Sequence, residues 1–253
     1  MIDIIALCDI HVHVGHFRGR YFSPQDIVDA MRLLHVKRWA VSSTSTCAYI
    51  GGYDMASREL REIIELAPDE AIPILWLTPD MIEESPNLNR FDEIPYRMLK
   101  VHGYSHDWHT NDKLFEQVFI AARKRSLPVL IHTGGRPESD AGRYTKICQT
   151  FSDIIIVLAH GRPIDETIKV MKQCPNVWVD TAFMPIEDIK TLIDEGLEKK
   201  IVFGSDYPLD AFFFPKQSEQ KRYKKNVRSI IKTYGEEQLS CWAIQNFAAI
   251  IGE

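Results

Sequence analysis

Ala6-Leu7-Cys8-Asp9-Ile10-His11-Val12-His13 is an apolar run that ends on two histidines spaced one residue apart. Three later runs end in a similar way: Pro128-Val129-Leu130-Ile131-His132, Ile154-Ile155-Ile156-Val157-Leu158-Ala159-His160 and Ile201-Val202-Phe203-Gly204-Ser205-Asp206. Such runs read as strands, so four histidines and an aspartate stand at strand C-terminal ends. In a βα barrel that is where active sites are built. With these included, strand-like runs end near His13, Ser43, Thr78, His102, His132, His160, Thr181 and Gly204. Eight runs at intervals of about 28 residues match βα units of ~30 and predict an α/β fold, one closed (β/α)8 barrel. Helix signals lie between them. Ser23-Pro24 offers a capping serine and a proline at the first helical position, Asn111-Asp112 opens another helix, and Pro185-Ile186-Glu187-Asp188 opens a third with an acidic first turn. The stretch from Pro79 to Pro95 reads as a long loop with one short helix. After Asp206 an aromatic loop leads into two extra C-terminal helices.

The 253 residues suit a single barrel domain over 1–253, and 45% hydrophobic with 26% charged residues is ordinary globular composition. Thirty basic residues against 35 acidic give a net charge of -5. The basic stretch Lys221-Arg222-Tyr223-Lys224-Lys225 is therefore read as a solvated helix face, and no nucleic-acid partner is expected. The five cysteines, Cys8, Cys47, Cys148, Cys174 and Cys241, are odd in number and lack metal or redox spacing. They read as reduced thiols of a cytoplasmic protein. The first residues, Met1-Ile2-Asp3-Ile4-Ile5, carry no basic leader, and no run of 18 apolar residues exists, so neither a signal peptide nor a membrane span is expected.

Residues two apart on a strand share a face. Asp9, His11 and His13 are expected inside the barrel mouth, with Ile10 and Val12 turned to the helices. Leu130 is expected on the face of His132, Leu158 on that of His160, and Val202 and Gly204 on that of Asp206; Lys100 and His102 both point inward. Four imidazoles and a carboxylate on four strands point to a divalent, zinc-like ion that keeps a position open for water. Asp9, deeper in the strand, is expected to hold His13 or Lys100 by hydrogen bonds.

Asp9-Ile10-His11-Val12-His13, Lys100-Val101-His102, His132-Thr133-Gly134, Ala159-His160-Gly161, Phe203-Gly204-Ser205-Asp206-Tyr207-Pro208 and the terminal Asn246-Phe247-Ala248-Ala249-Ile250-Ile251 together resemble the metal-dependent amidohydrolase superfamily. The resemblance covers essentially the whole chain and lies with the branch related to aminocarboxymuconate-semialdehyde decarboxylase. It implies that His11, His13, His132 and Asp206 bind one metal, with His160 contacting the attacking water or the substrate. Two departures stand out: the chain is short for the branch, and Gly103 occupies a position where the branch often has proline. In other branches a carbamylated lysine at the Lys100 position bridges two metals; here the expected site is mononuclear, with Lys100 a plain cation that orients Asp9 or a substrate carboxylate.

A divalent ion lowers the pKa of bound water from 15.7 toward ~7, and Asp206 is suited to shuttle the proton as general acid and base. His160 is left to orient the nucleophile or polarise a carbonyl. Arg18 and Arg20 follow the first run, Arg136 and Arg143 the fifth, and Arg162 the sixth, so guanidinium groups able to fork a carboxylate ring the mouth. With Lys100 and His102, Arg18, Arg136 and Arg162 are the candidate substrate-binding residues. Tyr21, Phe22, Tyr104, Trp108, Tyr207 and Phe212-Phe213-Phe214 are aromatic walls or, equally, packing or a homo-oligomer contact. The expectation is a one-zinc hydrolase of a small anionic ester, lactone or amide. Non-oxidative decarboxylation is the alternative, ahead of a retired ligand-binding barrel or a nuclease.

Overall fold

The computed structural model describes residues 7–46, 52–106, 108, 112–213 and 216–253. Met1–Ile5, Ala6, Cys47, Asn111 and Phe214, named above, lie outside them. The strands are β1 (Leu7–Phe17), β2 (Arg20–Phe22), β3 (Val36–Ser43), β4 (Ala71–Trp76), β5 (Met98–His102), β6 (Val129–His132), β7 (Ile156–Ala159), β8 (Val177–Asp180) and β9 (Ile201–Val202). Apart from β2, which pairs antiparallel with the outer end of β1, neighbours pair in parallel in the order β1-β3-β4-β5-β6-β7-β8-β9. The ring closes through three backbone bonds: Ile10 N–H to Phe203 O at 3.0 Å, Asp206 N–H to His11 O at 2.8 Å and His13 N–H to Tyr207 O at 2.7 Å. The chain folds as a (β/α)8 barrel.

Local chemistry sets the outer layer. Ser23 caps the helix Pro24–Leu33 in a reciprocal box with Asp26, and Ile27, Val28 and Met31 form its buried stripe. Between Trp76 and Met98 lie the short helix Pro79–Glu84, capped by Thr78, and one 3-10 turn, as the prolines there predict. At the C-terminus Glu219–Tyr234 is followed by a second helical stretch, Glu236–Ser240 and Asn246–Ile251, interrupted by a π turn over Cys241–Gln245. That stretch secures the short β9: Asn246 Nδ2 donates to Ile201 O at 2.6 Å, and Trp242 O accepts from Phe203 N at 3.3 Å.

Two apolar layers result. One lies between barrel and helices. The other fills the barrel's interior, where Ile10, Ile72, Ile74, Leu130, Val157 and Val202 meet Phe247, Ile250 and Ile251 of the last helix. Simple alternation fails on two strands. On β1, Asp9 pairs with Trp39 and Val12 with Val41, so three steps on one strand face two on the other. This bulge lets the adjacent Ile10 and His11 both face inward and sends Asp9 to the outer side. There Asp9 Oδ1 accepts from His11 N at 3.0 Å and Ser205 N at 3.1 Å. Ile10 therefore belongs to the interior layer with Cys8, while Val12 alone of the expected pair packs against the helices. On β7, Leu158 faces the helices and Ala159 the interior; His160 turns inward because its backbone is left-handed, at φ 71°.

The mouth end of β1 and β3 is fastened by Glu59, which is buried and accepts from the hydroxyls of Ser43 and Ser45. Gly15 is required there: its φ is +100°, and a Cβ would lie 2.6 Å from Ser45 Oγ.

Candidate metal centre

His11 and His13 reach from β1, and Asp206 from the turn after β9, to one point. The three distances among His11 Nε2, His13 Nε2 and Asp206 Oδ1 are 3.1, 2.9 and 3.1 Å. Burial, with the Lys100 charge as the next cause, lowers the His11 pKa and holds His13 well below the usual histidine range. Both rings are therefore neutral at neutral pH, and their contacts with Asp206 are not ion pairs. Burial raises the Asp206 carboxyl, with His11 and Lys100 opposing.

The hydrogen-bond partners assign the ring protons. Asp180, at the end of β8, accepts from His11 Nδ1 at 2.7 Å, and Ser42 O and Oγ lie 3.3 and 3.0 Å from His13 Nδ1. A carbonyl or carboxylate only accepts, so each Nδ1 carries the proton and each Nε2 presents its lone pair. The same reasoning runs through the next two rings. Ala182 O accepts from His160 Nδ1 at 3.1 Å, leaving His160 Nε2 to accept from His132 Nδ1 at 3.1 Å. His132 Nε2 is then also a lone pair, and it is buried with no hydrogen-bond partner among the described residues. Burial keeps His132, His160 and His102 well below the usual histidine range. The Nε2 lone pairs of His11 and His13 and the Asp206 carboxylate converge closely enough for one divalent ion of zinc's borderline character, so these residues fit such an ion.

Asp180 is the residue that sequence reasoning passed over. Its other oxygen accepts from the backbone N–H of His160 at 2.8 Å and of Ala182 at 3.0 Å. The available signal was an acidic residue closing the run Val177-Trp178-Val179-Asp180, parallel to Asp206 in its own run.

The structure brings His11, His13 and Asp206 into one group of potential ligands; His132 stands beyond it, its ring stacked on His102 with centroids 3.7 Å apart. Lys100 is buried at 1% exposure with Nζ 2.6 Å from His11 Nε2 and 3.2 Å from His13 Nε2. The expected contacts of Asp9 with Lys100 or His13 do not form, because the bulge turns Asp9 outward.

A cavity of about 430 Å3 opens over this group. Lys100, His102, His132, His160, Arg18 and Arg162 all line it. Arg136 stands behind, stacked on the cavity-lining Tyr104 at 5.1 Å. Arg20 pairs with Glu219 at 2.8 Å, and Arg143 is exposed. Phe17, Phe183 and Phe213 are the cavity's phenyl walls, whereas Trp108 and Tyr207 are buried packing residues. At Gly103 the space a Cβ would need is taken by Tyr144 Oη and Ser139 Oγ, at 2.6 and 2.7 Å.

Residues 93–228, just over half of the chain, match the amidohydrolase family model. The chain belongs to the amidohydrolase family. The match contains Lys100, His102, His132, His160 and Asp206, while the His11-Val12-His13 pair lies ahead of it. No curated protein matches the sequence. Among solved structures the chain is similar to a probable 2-pyrone-4,6-dicarboxylic acid hydrolase of Acinetobacter baumannii with bound citric acid, at 14% identity and TM-score 0.71, covering 98% of this chain and 100% of that one. It is similar to a zinc-bound amidohydrolase of Burkholderia multivorans at 12% identity and TM-score 0.67, covering 97% and 99%. A manganese complex of 5-carboxyvanillate decarboxylase from Novosphingobium aromaticivorans follows at 13% identity and TM-score 0.68, covering 90% and 79%. These likenesses establish the barrel, which hydrolases and a decarboxylase share.

Proposed function

We propose that this chain is a metal-dependent hydrolase of a small carboxylated ester, lactone or amide. The observation that carries the reading is the set of ring tautomers, which leaves Nε2 of His11 and His13 as lone pairs beside the Asp206 carboxylate and Nε2 of His132 as a further one. These four residues would hold one divalent ion, zinc being the first choice for imidazole and carboxylate donors. When bound, such an ion acidifies water and polarises a carbonyl.

The chain's own groups supply the rest. Asp206, buried and with its carboxyl raised, takes the proton of the attacking water and returns it to the leaving group. His160, with both ring nitrogens engaged, fixes the tautomer of His132. Arg162 and Arg18 line the cavity and are the forks for a substrate carboxylate. His102 also lines it, and its buried Nδ1 has no hydrogen-bond partner among the described residues, which suits a substrate oxygen. Among the described residues Cys8, Cys148, Cys174 and Cys241 are free thiols, which supports a reducing, cytoplasmic setting. No helix of the described residues is long and apolar enough to cross a membrane.

Decarboxylation is the second reading, favoured by the likeness to 5-carboxyvanillate decarboxylase. Zinc-loaded protein is to be assayed on carboxylated lactones, esters and amides, and on aromatic acids, following acid and carbon dioxide release together. Acid release is expected. Carbon dioxide release alone moves the assignment to the second reading, and a bound ion with no turnover on either panel leaves a ligand-binding barrel.

A further inference from the structure

The position of Lys100 concerns the same centre and rests on the reading that a divalent ion binds there. Three acceptor atoms, His11 Nε2, His13 Nε2 and Asp206 Oδ1, lie within 3.1 Å of one another. Neutral imidazole nitrogens whose protons are committed elsewhere repel when their lone pairs face at that distance, so a cation is needed to hold them. Lys100 supplies one. Its Nζ donates to both ring nitrogens, at 2.6 and 3.2 Å, and lies 4.7 Å from the centre of the Trp76 ring. A zinc ion bonds imidazole nitrogen at ~2.0–2.1 Å, so an ammonium hydrogen-bonded to both nitrogens and an ion ligated by both compete for the same lone pairs. They also repel each other across a site with little water to screen them.

We propose that the Lys100 ammonium is the cation that holds the ligand set together in the metal-free protein, and that a divalent ion enters only by displacing it. The lysine stem is anchored in mid-sheet, between Trp76 and Leu130 in register and with its carbonyl accepting from Leu77 N at 2.9 Å. Only the side chain can leave. The room for it is the cavity, which Lys100 itself lines together with the face of Trp76. Lys100 therefore sets how tightly the protein holds metal, a role opposite in sign to that of a ligand.

The test compares zinc affinity of the full chain, by chelator competition at one pH, in wild type, Lys100→Met and Lys100→Gln. Melting temperature is read with and without zinc. Both neutral variants should bind zinc at least tenfold more tightly than wild type, melt lower than wild type without zinc, and recover on adding it. Lys100→Gln carries the same comparison should Lys100→Met fail to fold. Zinc binding by wild type that weakens or does not change in the variants overturns the displacement model, weakening being the mark of a lysine that serves as ligand through a carbamate. Failure of wild type and both variants to bind zinc overturns the metal reading itself, whereas binding by the variants alone supports displacement in its strongest form.

Discussion

Asp180→Asn keeps the shape of a residue that accepts three hydrogen bonds, at 2.7 Å from His11 Nδ1, 2.8 Å from His160 N and 3.0 Å from Ala182 N. The asparagine carbonyl can still serve the two backbone groups. Its NH2 then meets His11 Nδ1–H, donor against donor. The inexpensive escape is for His11 to move its proton to Nε2, which spends the lone pair aimed at His13 and Asp206. Outer partners of ligating histidines are worth ~10- to 100-fold in metal affinity, or about 1.4–2.7 kcal/mol. The metal-free fold should lose about 1–3 kcal/mol as well, because the charge-assisted Asp180 bond becomes neutral and the Lys100 bond to His11 Nε2 is lost. Asp180→Ala is a poorer probe, since it strands three buried donors at about 1–3 kcal/mol each and confounds binding with folding. Chelator competition for zinc and urea unfolding, run on the same Asp180→Asn preparation, separate the two effects. Wild-type zinc affinity in a folded Asp180→Asn protein refutes the role of Asp180 in fixing the His11 tautomer.

His11→Ala and His13→Ala should each lose the single divalent equivalent while staying folded, measured by metal analysis and circular dichroism; retention in both removes the site. His160→Phe deletes the acceptor that fixes His132, so zinc affinity should fall roughly tenfold along with turnover, and an unchanged affinity would return His160 to direct contact with water or substrate. Arg162→Met should raise KM for a carboxylated substrate and leave its neutral ester unaffected; equal effects on both dismiss the arginine from substrate binding. Burial lifts the Asp9 carboxyl to about 7 from 3.8. The folded state thus holds a proton that the unfolded chain has released, and stability falls as pH rises from 4 to 7. Asp9→Asn should remove that fall, gaining on wild type by up to about 4 kcal/mol at ~1.4 kcal/mol per unit, and parallel stability curves across that range would show the carboxyl unperturbed.

The barrel was legible because its eight strand ends carry their own punctuation. His13, His102, His132 and the Asp206 turn close apolar runs at the spacing a βα unit needs, and Ser23 and Pro185 mark helix starts. What escaped was local backbone geometry. A bulge between Asp9 and Val12 leaves no mark in hydrophobicity, so strict alternation placed Asp9 beside His11 and Ile10 beside Val12. The inward turn of His160 depends on a left-handed φ that a histidine adopts only where its surroundings impose it. Asp180 ends its strand as visibly as Asp206 does, but its importance lies in contacts 20 and 169 residues away in sequence. The short β2 was likewise hidden, its pairing coming from the reversal at Arg18-Gly19 rather than from any apolar run.

The filled interior of the barrel governs traffic. Ile10 and its neighbours, stoppered from below by Phe247, Ile250 and Ile251, close the far end beneath the histidines and leave the cavity between Arg18, Phe213 and Tyr104 as the entrance. Among the described residues this is the opening above the histidines, so substrate and product would share it and neither could wait inside while the other moves. On the proposed reading a carboxylate product would leave past Arg18 and Arg162, which line that cavity, and turnover in such a dead-end vessel is expected to slow as acid accumulates, with product competing directly against substrate.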